Sequence, residues 1–358
     1  MNKDLHGGNI YKFQREGKND ILDYSSNINP LGVPQKFIDI AKESFDKLVN
    51  YPDPYYIELR KKIAEFNSVN MNNIIVGNGA TEILFLYIRA LKPKKVVILA
   101  PCFAEYERAL KSVSAKIEYF ELRESDDFYP NIINLKKEIE NNNYDLLLFC
   151  NPNNPTGQFI KLEDIKEIIE TCEKKNTKIF VDEAFIEFIE NWKEKTVSLL
   201  KNKNIFIMKA FTKFFAIPGL RLGYGIGFDD EVLKKMWEEK EPWTVNTFAN
   251  LAGLIMLDDK EYIEKSEKWI LEEKKFMYEE LSKFQNIKVY KTECNFILIK
   301  LSNITSESLR EKMIERNILI RDASNFKFLD YHFVRLAIKD RKSNLKMLET
   351  LTGFVEYK

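Results

Sequence analysis

The apolar positions of the chain follow two different periods. Short, nearly continuous apolar runs occur at 74–76, 96–99, 146–150, 179–181, 205–208 and 222–226. They are rich in Ile, Val, Leu and Phe, the mark of strands buried on both faces. Between many of them the period lengthens to that of a helix. Residues 81–91 form one such segment. Residues 162–174 form another, with Leu162, Ile165, Ile168, Ile169 and Cys172 on one face. Buried strands alternating with helices predict an α/β fold with a mostly parallel sheet covered on both sides, and sites in such sheets sit at the carboxyl ends of the strands.

The last third reads differently. A long charged helix is expected near 262–284, then short strands near 288–290, 296–301, 318–321 and 333–338. That pattern predicts a smaller α+β domain. The expected layout is an N-terminal arm over 1–35 packing on the small domain, a large domain over 36–260, and the small domain over 261–358.

Composition narrows the function. The chain has 358 residues, with Lys plus Arg at 55 and Asp plus Glu at 55. The basic excess of a nucleic-acid binder is not there. The start, Met1 to Gly8, is polar, and no apolar run approaches the length of a membrane span. A cytoplasmic protein is expected. The cysteines at 102, 150, 172 and 294 form no Cys-x-x-Cys pair, and the only histidines are His6 and His332. Buried reduced thiols are expected, with no metal site.

Four segments carry candidate chemistry. Gly77-Asn78-Gly79-Ala80-Thr81-Glu82 leads a strand through a glycine turn into a helix, whose first amides and dipole favour an anion such as phosphate. A tight turn alone would use the same residues. Asn151-Pro152-Asn153-Asn154-Pro155-Thr156-Gly157 makes a stiff loop at a strand end, as turn chemistry or as a platform for ligand-binding amides. Phe180-Val181-Asp182-Glu183 delivers a carboxylate to a strand end, where it needs a donor or cation unless it caps a helix. Phe211-Thr212-Lys213-Phe214-Phe215 sets a lysine among aromatic residues. Desolvation there lowers its pKa and makes it an amine nucleophile, although a snorkelling lysine has the same neighbours. Arg221 follows eight residues later and can pair with a phosphate. Gly223-Tyr224-Gly225-Ile226-Gly227 lacks the third glycine of a dinucleotide loop, because Phe228 takes its place.

Taken in order, these motifs resemble the fold-type I pyridoxal-phosphate enzymes of the class I/II aminotransferase family. The resemblance runs over nearly the whole chain. It extends through His6-Gly7-Gly8-Asn9, Asn27-Ile28-Asn29-Pro30-Leu31-Gly32, Tyr51-Pro52-Asp53-Pro54-Tyr55, Pro242-Trp243-Thr244-Val245-Asn246, Ile320-Arg321-Asp322 and Phe333-Val334-Arg335. These segments look like the family's branch of threonine-phosphate decarboxylases from cobalamin synthesis. The resemblance implies that pyridoxal 5'-phosphate is held as a Schiff base on Lys213. It implies that Asp182 pairs with the ring nitrogen, that Asn154 bonds the phenolic oxygen, and that Phe103 stacks on the ring. Gly79, Ala80, Thr81, Thr212 and Arg221 would cradle the phosphate. Tyr51 would reach the partner subunit's cofactor, making a homodimer with shared sites. His6, Asn29, Arg321 and Arg335 would bind a small phosphorylated amino acid, and Arg335 corresponds to the family's carboxylate-binding arginine.

Two positions depart from the wider family. Phe185 stands where many members have a tyrosine that bonds the phenolic oxygen, and Ala210 where some have a hydroxyl residue near the phosphate. Phe185 favours the decarboxylase branch. The bond that breaks at the substrate α-carbon is the one perpendicular to the cofactor plane. An arginine gripping the carboxylate in that plane favours transamination. Arginines and His6 holding a substrate phosphate leave the carboxylate free to turn and depart as CO2. Histidinol-phosphate aminotransferase and a decarboxylase of phosphoserine are the alternative enzymes. A cofactor-dependent regulatory module is the non-enzyme alternative, with no added DNA-binding segment to support it.

Overall fold

The computed structural model describes residues 6–356. Met1 to Leu5, the tip of the expected arm, and the last two residues lie outside the described residues. In chain order the strands are β1 (Leu22–Asp23), β2 (Ile74–Asn78), β3 (Lys95–Ala100), β4 (Lys116–Glu121), β5 (Leu146–Cys150), β6 (Lys178–Asp182) and β7 (Ile205–Ala210). Then come β8 (Leu222–Gly227), β9 (Ile287–Val289), β10 (Phe296–Leu301), β11 (Ile318–Leu319), β12 (Arg321–Asp322) and β13 (Phe333–Ala337).

The main sheet has seven strands in the order β2-β8-β7-β6-β5-β3-β4. All its pairings are parallel except those of β8, which runs antiparallel to both β2 and β7. The sheet is therefore mixed and mostly parallel. Alternation along each strand divides the core. Val97, Leu147, Phe149, Ile179, Val181 and Ile207 enter one hydrophobic cluster. Val96, Ile98, Leu146, Leu148, Phe180 and Met208 enter the cluster on the other face. Both faces are covered, which is why these strands carry almost no polar residues.

A smaller antiparallel sheet follows, in the order β12-β13-β10-β9. The helix Lys260–Leu281, capped by the Asp259 side chain, leads into it. The strand expected near 318–321 divides into β11 and β12, with Ile320 between them. β11 pairs in parallel with β1 of the arm, while β12 joins the four-stranded sheet beside β13. Further bonds fasten the arm: Ala337 N donates to Tyr24 O at 3.0 Å, and the Tyr24 hydroxyl donates to Asn344 at 2.8 Å. The arm thus brings residues 6–9 and 25–27 to the carboxyl edge of the main sheet.

Candidate active site

The carboxyl ends of β5, β6 and β7 deliver Cys150, Asp182 and Ala210 to one cavity of about 450 Å³. Asp182 closes β6 and is buried. Ala184 N donates to its Oδ1 at 2.9 Å, and the Tyr106 hydroxyl donates to its Oδ2 at 2.6 Å. Burial pushes the Asp182 carboxyl up to about 6, against the lowering effect of those two donors. A buried carboxylate in this state is ready for a cationic N–H donor.

Lys213 lies in the one-turn helix Phe211–Phe214, directly after β7, and its side chain lines the same cavity. Burial lowers its pKa to about 8, and repulsion from Arg335 and Arg221 adds to the effect. A larger share of neutral amine is therefore present near neutral pH than in a solvated lysine.

An anion cradle closes one end of the cavity. Gly79 stands at φ +78° before the helix Ala80–Leu91, whose first turn has no side-chain cap. The Arg221 guanidinium lies so close to Gly79 that a Cβ there would meet its Nη2 at 2.3 Å. A Cβ on Gly223 would meet the Ala80 amide nitrogen at 2.3 Å, so β8 is packed directly against the helix start. Ala80, Thr81, Thr212 and Arg221 line the cavity at this end. Exposed amides, hydroxyls and a guanidinium are the groups that can hold a phosphate.

The opposite wall comes from the small sheet and the arm. Arg321 and Arg335 stand directly across from each other in the β12–β13 register, and both are buried and line the cavity. Like charges facing each other on a sheet are destabilising unless an anion joins them. Arg335 donates to Asn154 Oδ1 at 2.5 Å and to Ser25 O at 2.7 Å, and its Nε has no partner among the described residues. Burial and Arg321 lower its pKa to about 9, which leaves it protonated at neutral pH. Arg321 donates to Asp322 O at 2.9 Å and Asn325 Oδ1 at 2.8 Å. His6 Nε2 lies 2.8 Å from Glu105 Oε1, and its ring is 5.4 Å from that of Phe103.

Two expected residues lie elsewhere. Asn29 is not at the cavity. Its amide donates to Phe214 O and Ser266 Oγ, both at 2.8 Å, and its own backbone N donates to Lys213 O at 3.1 Å. It braces the lysine's helix from behind. Asn27 lines the cavity instead, buried, with an Oδ1 that has no partner among the described residues. Both asparagines are buried, and it is the hydrogen bonds to Phe214 O and Ser266 Oγ that turn Asn29 away from the cavity. Tyr51 is 81% exposed, its ring tilted against that of Trp243 at 4.8 Å, and does not line this chain's own cavity.

Sequence reasoning also passed over Tyr106, Glu105 and Ala184. Glu105 and Tyr106 open the helix Glu105–Lys111, where they read as amphipathic helix residues. Their closeness to the β3 strand end, a few residues after Ala100, was the available signal. Phe185 faces the cavity and packs edge-on to Phe296 at 5.2 Å, so no hydroxyl stands at that place.

A family model described as aminotransferase class I and II matches residues 19–351. A protein from Salmonella typhimurium named threonine-phosphate decarboxylase is 34% identical over 97% of this chain and 95% of its own. A candidate threonine-phosphate decarboxylase from Caldanaerobacter subterraneus subsp. tengcongensis is 43% identical, covering 98% of this chain and 94% of its own. Among solved structures, the histidinol-phosphate aminotransferase from Clostridium acetobutylicum superposes with a TM-score of 0.88 at 38% identity, over 93% of this chain and 98% of that one. The cradle, the buried carboxylate and the desolvated amine fit pyridoxal phosphate at its phosphate, ring nitrogen and aldehyde. With the match across 19–351, the chain belongs to the aminotransferase class I and II family of pyridoxal-phosphate enzymes.

Proposed function

We propose that this enzyme decarboxylates L-threonine O-3-phosphate, giving 1-amino-2-propanol phosphate and CO2, a step of cobalamin synthesis. The observation that carries the reading is the buried pair Arg321 and Arg335 on adjacent strands, facing one cavity. Two guanidiniums, with His6 beside them, present more positive charge than one α-carboxylate neutralises. A phosphorylated amino acid supplies the second anion and can accept paired guanidinium bonds. The two relatives carrying the decarboxylase name support the same reading.

When bound, pyridoxal phosphate supplies an electron sink for the pair released at the substrate α-carbon. The chain's own groups do the rest. Lys213 would hold the cofactor covalently, its lowered pKa leaving a neutral amine to bond the aldehyde. Asp182, oriented by Tyr106 and the Ala184 amide, would accept a ring N–H and keep that proton in place. Phe103 would cover the ring. Asn154, whose Oδ1 receives Arg335, would bond the phenolic oxygen through its amide N–H. Gly79, Ala80, Thr81, Thr212 and Arg221 would grip the cofactor phosphate. Arg321, Arg335, His6 and Asn27 would hold the substrate phosphate, which fixes rotation about the α-carbon and leaves the carboxylate free to depart. As CO2 departs, its bonding pair stays behind, and the Lys213 ammonium returns a proton to the α-carbon.

A second reading, histidinol-phosphate aminotransferase, is favoured by the 38% identity to a structure of that name. It uses the same phosphate grip. The test is product analysis on the holoenzyme with threonine phosphate, phosphoserine, and histidinol phosphate plus 2-oxoglutarate. CO2 and an amine phosphate from the first support the proposal. Glutamate from the third, without CO2 from the first two, overturns it.

We further propose that the enzyme works as a homodimer. Phe45, Leu48, Val49, Tyr51, Tyr55 and Trp243 are all exposed. Exposed apolar residues gathered in this way mark a surface that another protein covers. A second copy would bring Tyr51 toward the neighbouring cofactor phosphate.

A further inference from the structure

Lys240 is a buried cation that does not line the active cavity. It follows the helix Asp230–Glu239, and its side chain is 2% exposed. Its Nζ donates to Glu82 Oε1 at 3.1 Å and to Thr244 Oγ1, and it lies 5.8 Å from the centre of the buried Tyr56 ring. Glu82 stands in the first turn of the helix Ala80–Leu91, one residue beyond Thr81. Its other oxygen, Oε2, accepts the amide N–H of Asn78, the last residue of β2. One carboxylate therefore closes the chain around Gly79 and receives Lys240 at the same time. Reaching back across a helix start is what a third-position glutamate does in a capping box. The segment that begins with Lys240 also touches the other side of the cradle. There Asn246 Nδ2 donates to Leu220 O at 3.0 Å, directly before Arg221, which stands at φ +60°.

We propose that Lys240 is a positioning residue for the cofactor phosphate, acting through Glu82. This rests on the reading of Gly79, Ala80, Thr81, Thr212 and Arg221 as the phosphate cradle. Glu82 secures the turn, but it also puts a negative charge one residue from a site for a dianion. Like charges so placed oppose each other, and the opposition grows where water is excluded. The Lys240 ammonium cancels that charge where it stands. Burial pulls the Lys240 pKa down and Glu82 pulls it up, so the carboxylate helps to keep the ammonium charged. A neutral side chain at 240 would leave Glu82 to repel the phosphate. A neutral side chain at 82 would leave Lys240 to attract it, while a glutamine oxygen could still accept the Asn78 amide.

The test strips the full-length enzyme of cofactor and titrates the wild type, Lys240→Met, Glu82→Gln and the double variant with pyridoxal phosphate and with pyridoxal, which lacks the phosphate. Absorbance of the Schiff base gives the dissociation constants, and a thermal melt of each apoprotein reports its fold. Lys240→Met should weaken pyridoxal phosphate about tenfold and leave pyridoxal unchanged. Glu82→Gln should act with the opposite sign and tighten pyridoxal phosphate. The double variant should return to within about threefold of the wild type. A purely structural role would weaken both ligands in every variant. Equal losses for the two ligands, or a Glu82→Gln that holds pyridoxal phosphate no more tightly than the wild type, overturn the proposal. Should Lys240→Met not fold, the second of these decides alone. A wild type that binds the two ligands alike removes the cradle itself, and this role with it. A wild type that prefers pyridoxal phosphate, with the same preference kept in Lys240→Met, leaves the cradle standing and removes Lys240.

Discussion

Lys213 is the residue whose surroundings say most about its use. Its pKa is lowered to about 8, whereas the unfolded chain keeps the ordinary value of 10.5. Between those limits the unfolded state holds more protons, so this group makes stability rise with pH there, while below about 8 the full penalty of a desolvated ammonium remains. Replacing it with Met should stabilise the apoprotein by roughly 1 to 3 kcal/mol at pH 7, with the gain shrinking toward pH 10. Thermal melts across pH check this, and equal melts at pH 7 would show an ammonium already at ease. The same variant should leave no cofactor fixed by borohydride, read as peptide mass. Asp182, held up to about 6, has the opposite sign. Its folded form keeps a proton that the unfolded carboxyl has lost between about 4 and 6, so capture of the cofactor by apoprotein should tighten as pH rises through 6. Asp182→Asn should retain cofactor and lose two to three orders of magnitude in kcat. Near-normal turnover would remove the electrostatic role. Lys213, Asp182, Arg221 and Phe103 were legible in the sequence because each follows a strand end or sits in a motif. Tyr106 was not, since its partner Asp182 lies 76 residues away. Asn27 and Asn29 show the limit from the other side: a motif names both but cannot say which one turns inward.

At the level of elements, the proposed phosphate cradle depends on one close approach. β8 comes against the first turn of the helix Ala80–Leu91 only because Gly223 has no Cβ. Gly223→Ala would push Cβ into the Ala80 amide nitrogen and the Gly79 carbonyl carbon, which are backbone atoms and cannot rotate away. The expected cost is about 1 to 3 kcal/mol, as for overpacking elsewhere. A weakening of cofactor affinity should accompany it and exceed that of Gly219→Ala, where a Cβ meets nothing within 4 Å. Equal cofactor dissociation constants in the two variants would show that the cradle tolerates the shift. The apolar runs located six strands of the main sheet to within a residue or two, and the segment 162–174 matches the helix Leu162–Lys174. β4 escaped notice because, as an edge strand, it is only half-buried and reads Lys-Ile-Glu-Tyr-Phe-Glu. The break at Ile320 escaped notice as well, since its neighbours on both sides are buried and the change of sheet lies in the pairing.

At the scale of the molecule, assembly is the open question. Val49 is 86% exposed at the centre of the segment that carries Phe45, Leu48 and Tyr51. Light scattering should give twice the chain mass of 42.2 kDa for the wild type. Val49→Asp with Leu48→Asp should shift that toward one chain and reduce cofactor retention, since Tyr51 would lose its neighbour. A wild type that runs as one chain with full activity would remove the shared site.

The order in which the parts of the pocket occur along the chain has a consequence for synthesis. The residues proposed to hold the cofactor end at Arg221, and β8, which locks β2 into the sheet, is complete at Gly227. The proposed substrate arginines come later, on β12 and β13, and β13 ends at Ala337. On the ribosome, where N-terminal parts emerge first, a growing chain can close around pyridoxal phosphate more than a hundred residues before it can select a substrate. The arm, although translated first, has to wait for β11 and β13 before it has anywhere to dock. A chain released early would therefore carry a reactive cofactor with no means of choosing what reaches it.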